Sequence, residues 1–173
     1  MGTSLYNMSV ATYLQTLNAV SGFLAKGADY CRDNGLNANE IVETRLHGDM
    51  LPLRFQILSV AHHSLGAIKG IEAGAFYPPG PAGEPDYAAI QKIVTDTIAS
   101  LQALKAEDVN ALAGTDVTFH LGDFKLPFVA EDFILSFSLP NFHFHATTAY
   151  DILRSKGVPL GKRDYMGPLR LKR

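Results

Sequence analysis

A single cysteine, Cys31, among 173 residues leaves no pair to form a disulfide within the chain. No Cys-x-x-Cys spacing or neighbouring histidine accompanies it in Asp29-Tyr30-Cys31-Arg32, so it reads as a packing residue and not a nucleophile. Nor is there a run of the roughly 20 apolar residues that spans a bilayer, because Ser, His, Asn or Pro breaks the most apolar segments. The N-terminus has neither the basic region nor the apolar core of a secretory leader, and the expected location is the cytoplasm. Charge is scarce and balanced. Fifteen Lys and Arg against 17 Asp and Glu give a net charge of -2, which offers no electrostatic grip on nucleic acid or an anionic membrane. Arg170, Lys172 and Arg173 make a small basic tail that is expected to be solvated.

What the chain does have is enough length for one domain with a sizeable core, together with helical periodicity. From Tyr6 to Asn34, apolar residues recur at three and four through Val10, Tyr13, Leu17, Val20 and Leu24, with no proline, which predicts a long amphipathic helix. A short helical segment is expected around Asn37 to Thr44. Met50 to Gly70 repeats the pattern and predicts a second long helix, its start blurred by Pro52. The Pro- and Gly-dense stretch from Phe76 to Pro85 reads as an ordered loop. Asp86 is a natural N-cap for a third helix running to about Lys105.

Val117 to Leu121 and Phe124 to Phe128 alternate apolar and polar around Gly122-Asp123, the pattern of a β-hairpin, with His120 on its solvent side. A fourth helix is expected from about Ala130 to Lys156, leaving Gly157 to Arg173 as an irregular tail. The fold class predicted is therefore all-α, an up-and-down four-helix bundle with a small β-hairpin between helices 3 and 4, in one domain over residues 1–173.

The chemistry concentrates in Leu-Pro-Asn-Phe-His-Phe-His-Ala-Thr-Thr, residues 139–148. Histidines two apart share a face on a strand but diverge by roughly 200° on a helix. Helical geometry gathers Ile134, Ser138, Asn141, His145, Thr148 and Ile152 on one inward stripe and turns His143 outward. Pro140 is expected to kink the helix just before Asn141. On the second helix Asp49, Gln56 and His63 are spaced by seven and share a strip at the margin of the apolar face, with His62 turned away. Asn141 and His145 at i, i+4, with His63 from another helix, thus form a candidate ligand set, while Asp49, Gln56 and Thr148 are candidates to orient it from behind. On the residues alone, two buried histidines and an asparagine are more often a satisfied polar pocket than a metal centre. In the tail, Gly161 to Tyr165 are expected to fasten the chain end by charge and one aromatic.

The runs "RLHGDMLPLRFQILSVAHHSLGAIKG" and "LPNFHFHATTAYDILRSKGVPLGKRDYMG", with the opening "SLYNMSVATYLQTLNAVSGFLAKGADYC", resemble DUF1993, a family of unknown function in the DinB/YfiT-like superfamily. The resemblance implies a four-helix DinB-like bundle, often dimeric, in a superfamily regarded as metalloenzymes that includes thiol-dependent transferases. Metal-binding members pair a histidine of the second helix with a later His-x-x-x-His. Here His63 falls at the first position, His145 at the last, and Asn141 stands at the middle one. The expectation is an enzyme holding a divalent metal such as Ni, Zn or Mn and acting on a small molecule. The alternative is a metal-free small-ligand or dimeric interaction protein with a degenerate site. A homodimer is expected, and neither nucleic acid nor membrane is an expected partner.

Overall fold

The structure is a computed structural model that describes residues 3–81 and 83–172; Arg173, the last residue of the expected basic tail, lies outside the described residues. Ser4 caps α1 (Leu5–Met8) by accepting from the backbone N–H of Asn7. Ser9 then leaves helical geometry, its hydroxyl donating to the Leu5 carbonyl, before α2 (Val10–Asp33) begins. The first long helix is thus two helices. A serine that bonds its own backbone competes with helix propagation, and a periodicity argument does not register that competition.

After α3 (Ala38–Val42), capped by Asn37, the chain re-enters helix at α4 (Leu53–Ala61) with Pro52 as its N-cap. The start lies three residues later than Met50, which leaves Asp49 in a loop. A π-helical turn, His62–Gly66, joins α4 to α5 (Ala67–Ala73). Gly74, at φ 70° in the left-handed region, reverses the chain into β1 (Ala75–Phe76). Asp86 accepts from the Ala89 N–H at 2.8 Å and caps α6 (Tyr87–Gln102), which is followed by the short α7 (Ala106–Asn110).

β2 (Asp116–Leu121) and β3 (Phe124–Val129) pair antiparallel from Asp116 opposite Val129 to Leu121 opposite Phe124, and β1 adds in parallel to β2. The fold is therefore mostly helical with a three-stranded sheet in the order β1-β2-β3, where an all-α fold with a lone hairpin was expected. Two residues are too few to show period-two alternation, so β1 leaves no trace in the sequence pattern. His120 is half-buried, its ring lying over Tyr77 with centroids 4.9 Å apart, and not turned to solvent as its alternation suggested.

The last long helix is also compound: α8 (Ala130–Asp132), a π-helical segment Phe133–Ser138, then α9 (Leu139–Ser155). Pro140 cannot donate to the carbonyl four residues back, and the widened segment immediately before it absorbs that loss where a kink was expected. The tail is not wholly irregular. α10 (Lys162–Met166) opens with the Gly161 N–H donating to Asp164, and it docks through a Lys26–Asp164 ion pair and the Tyr165 hydroxyl on Thr147. Five residues are too short for a readable stripe.

Helix α4 packs along α9, α2 along α6, and α4 also meets α6. Tyr13, Leu17, Phe23, Leu53, Ile57, Ile90, Leu101, Phe133, Phe142 and Leu153 lie fully buried between them. Each such side chain stabilises the fold by about 1.5–3 kcal/mol relative to exposure. Cys31 is buried among them. Gly27 permits the approach of α6, because a Cβ there would overlap the Tyr87 hydroxyl and reach Leu153 at 3.1 Å, and Tyr87 itself donates to the Leu24 carbonyl at 2.9 Å. Gly27→Ala is expected to cost about 1–3 kcal/mol of stability through overpacking; the urea midpoint of the variant against the parent measures it.

Candidate functional site

His63 comes from the π-helical turn between α4 and α5, and His145 from the second turn of α9 onward. Their rings lie 5.8 Å apart, centroid to centroid, with planes 15° from parallel. His63 is 8% exposed and walled by Phe76 and Phe137, whose centroids are 5.7 and 5.9 Å away. Behind that wall Phe133, Phe119 and Phe128 pack on Phe137, tying the sheet to the helix that carries His145.

Gln56 sets the state of His145. Its Nε2 donates to the Leu51 carbonyl at 2.8 Å, so its Oε1 is the atom facing His145 Nδ1, also at 2.8 Å. An amide oxygen only accepts, hence the imidazole proton sits on Nδ1 and the lone pair on Nε2. Gln56, expected at the margin of the apolar face, is buried at 2% exposure. His63 Nδ1 is buried with no hydrogen-bond partner. Burial pushes the His63 imidazole down to about 3, helped by the neighbouring His62 and His145, and burial pushes His145 down to about 4. Both are neutral at physiological pH, the form in which imidazole is a ligand or a hydrogen-bond acceptor.

Asn141 is half-buried one turn before His145, and its Nδ2 donates to the Phe137 carbonyl at 2.7 Å, leaving Oδ1 free of that bond. Asn141 and His145 lie at the margin of the buried face of α9. The centre of that face is Phe142, Ala146, Ala149 and Leu153, a rotation from the expected stripe that follows from the π-helical segment preceding α9. Thr148 donates to the Phe144 carbonyl at 2.8 Å, a local bond within its own helix. Asp49 is not brought to the site. With α4 starting at Leu53, the seven-residue strip stops short of it, and it lies exposed, 2.6 Å from His47 Nδ1.

His62 is closer to the site than expected. The π turn leaves it stacked on Phe76, centroids 4.4 Å apart, with Nε2 donating to the Tyr77 carbonyl at 2.9 Å. A π turn spreads consecutive side chains by less than an α-helix does, so the half-buried His62 stays beside His63, centroids 5.3 Å apart; nothing in a sequence periodicity marks such a turn. His143, expected to face outward to solvent or another subunit, is half-buried, with Tyr165 of α10 against it. A cavity of about 230 Å³ lined by Met50, Leu51, Phe55, Gln56, Phe144 and His145 opens beside the imidazole pair.

The donor set can be tested against a divalent ion. An imidazole nitrogen sits about 2 Å from zinc, so two rings sharing one ion hold their centroids within roughly 6 Å of each other. The observed 5.8 Å falls inside that limit. The two imidazoles are thus within the reach of one ion, and Asn141 stands one helical turn before His145. Among the described residues no group of three His, Cys, Asp or Glu side chains is placed to hold one.

A family model for the domain of unknown function DUF1993 matches residues 5–166. The chain belongs to the DUF1993 family. This DUF1993 chain is also similar to the solved structure of a DinB family member protein from Shewanella denitrificans, with a TM-score of 0.81 at 22% identity, over 98% of this chain and 95% of that one. The likeness shows a shared fold. No curated protein matches the chain. Among the described residues no helix is long and apolar enough to cross a membrane.

The two imidazoles carry a pH dependence. Both folded values lie below the ordinary histidine value of 6.5, so below that pH the unfolded chain takes up protons that the folded one refuses. In the presence of a chelator, stability is expected to be full above about pH 6.5 and to fall as the pH drops towards about 4. Urea unfolding across that range, beside the double variant His63→Gln, His145→Gln, is expected to show a flatter profile in the variant.

Proposed function

We propose that this DUF1993 protein holds a divalent ion, of the nickel, zinc or manganese class, through His63 and His145, with Asn141 Oδ1 as a weak third donor, and acts there on a small molecule. The scaffold proposed is a DinB-type up-and-down bundle of α2, the helix from α4 to α5, α6 and α9. The observation that carries the reading is Gln56, which is itself anchored to the Leu51 carbonyl and pins the proton of His145 on Nδ1. Metal-ligating histidines characteristically donate their second ring nitrogen to such a fixed acceptor, which fixes the tautomer and raises ligand basicity.

An ion at this place supplies Lewis-acid polarisation of a substrate oxygen or thiol. The chain's own residues do the rest. The phenylalanine wall around His63 excludes water and keeps its imidazole neutral, and Gln56 keeps the His145 ring from rotating. Asn141 is tethered to the Phe137 carbonyl, so its amide oxygen presents in one orientation. A second reading, a metal-free small-ligand pocket, is favoured by the absence, among the described residues, of a third strong donor beside the two histidines. We also propose a homodimer, supported by Leu121 and Phe124, which pair across the hairpin turn and are 56% and 59% exposed.

Metal content of tag-free protein, measured after equilibration with nickel, zinc and manganese in turn, tests the reading. Near-stoichiometric binding is expected, lost in His145→Ala and in His63→Ala, and tightened at least tenfold in Asn141→His. No binding by the parent or by Asn141→His would favour the metal-free pocket. Sedimentation equilibrium is expected to give a dimer that Phe124→Asp weakens.

A further inference from the structure

The way in to His145 has a chemical character of its own. Its cavity of about 230 Å³ is lined by Met50, Leu51, Phe55 and Phe144, and the polar side chains among its lining are Gln56 and His145. Phe55 and Phe144 both stand edge-on to the His145 ring, with centroids 5.9 and 5.3 Å away and planes at 72° and 81°. Among the described residues no Lys, Arg, Asp or Glu lines it. Outside the lining, Arg45 donates to the Met50 carbonyl at 2.7 Å from the loop side, and exposed Asp49 is bonded to His47. Gln56 Oε1 and Nε2 are both used, on His145 and on the Leu51 carbonyl, so it has little left to offer a ligand. Behind His145 lies the partnerless Nδ1 of His63, a side chain more than nine-tenths buried.

A cavity of about 150 Å³ with apolar walls holds a benzene molecule. The one beside His145 is open to solvent, and its about 230 Å³ has room for a substituted ring or a short branched alkyl chain. An ionised head group has no counter-charge on these walls and would lose its hydration on entry without compensation. A neutral hydroxyl or thiol meets an imidazole acceptor instead. We infer that the substrate or ligand of this site is a neutral, largely apolar small molecule of about the size of a substituted benzene, entering between Phe55 and Phe144 with one hydroxyl or thiol directed at the imidazole centre. The inference rests on the reading of His145 as the functional centre, and it names what that centre takes.

The chain contains no tryptophan, so Leu51→Trp places a sole indole reporter at the cavity rim. With a chelator present, titration of this protein with 4-methylphenol and with its anionic counterpart 4-methylbenzoate, followed by indole emission, tests the class without reference to any metal. The neutral probe is expected to bind at least tenfold more tightly, with the preference lost when the half-exposed Phe144 is also changed, Phe144→Ser. A second reporter, Met50→Trp, guards against a rim substitution that itself blocks entry. Equal binding of the two probes, tighter binding of the benzoate, or binding of neither with both reporters would overturn the inference, even where metal still binds at His145. A reporter buried by dimerisation, with no probe bound, would overturn it too and make this face a contact between copies. Selective binding of the phenol by a protein that takes no metal would leave the inference standing and remove the metal from the proposed function.

Discussion

One buried hydrogen bond holds the two halves of the site in register. Ser138 Oγ donates to the backbone carbonyl of His63 at 2.7 Å, and its single proton being spent there, it accepts from the Tyr13 hydroxyl at 2.6 Å. All three groups are buried. Ser138 closes one π-helical segment and His63 belongs to the other, so the bond joins the two places where the helices depart from α geometry. A π turn displaces carbonyls from the regular ladder. Here one such carbonyl is satisfied from across the interface by the helix that leads into Asn141 and His145. Burial raises the Tyr13 phenol above its usual range, which keeps it a neutral donor. Loss of the Ser138 hydroxyl leaves the buried Tyr13 hydroxyl with no partner, at a cost of about 1–3 kcal/mol.

The site then follows from what each helix is obliged to do. The aromatic layer of Phe76, Phe119, Phe133 and Phe137 fills the gap between the sheet and the helices, and in doing so strips water from His63. Desolvation, not an adjacent charge, is the largest influence on both imidazoles. The DinB-like likeness in fold says that this scaffold is shared, and it says nothing of which small molecule is handled, because function is lodged in side chains that 22% identity leaves free to differ.

Much of this was legible in the residues. The stripes of α2, α4 and α6, the Asp86 cap and the alternation of β2 and β3 are long-range periodic signals, and periodicity survives any local surprise. His63 and His145 were found because an i, i+7 or i, i+4 relation on a helix constrains where a side chain goes. Asp49 was misplaced because Pro52 starts the helix, and Gln56 was set at a margin although it is buried. His62 is expected away from the site because adjacent residues on an ideal α-helix differ by about 100°. At Asp49 and His62 a proline and a π turn change the phase of an ideal α-helix, whereas Gln56 lies within regular α-helix. The role of Gln56 depends on its contact with the Leu51 carbonyl, five residues away and outside the helix. No pairwise spacing encodes that contact.

The π turn at His62–Gly66 also bears on how this chain is set beside its relatives. A π turn is what a helix looks like after accepting one surplus residue without unwinding. In a homologue whose second helix is α-helical throughout, the equivalent stretch is one residue shorter. Aligned without a gap from the C-terminal side, a histidine of that homologue's helix falls opposite a different member of the His62-His63 pair than when it is aligned from the N-terminal side. Tandem histidines hide such a slip, since either choice scores as an identity. Only superposed coordinates decide which imidazole inherits the position.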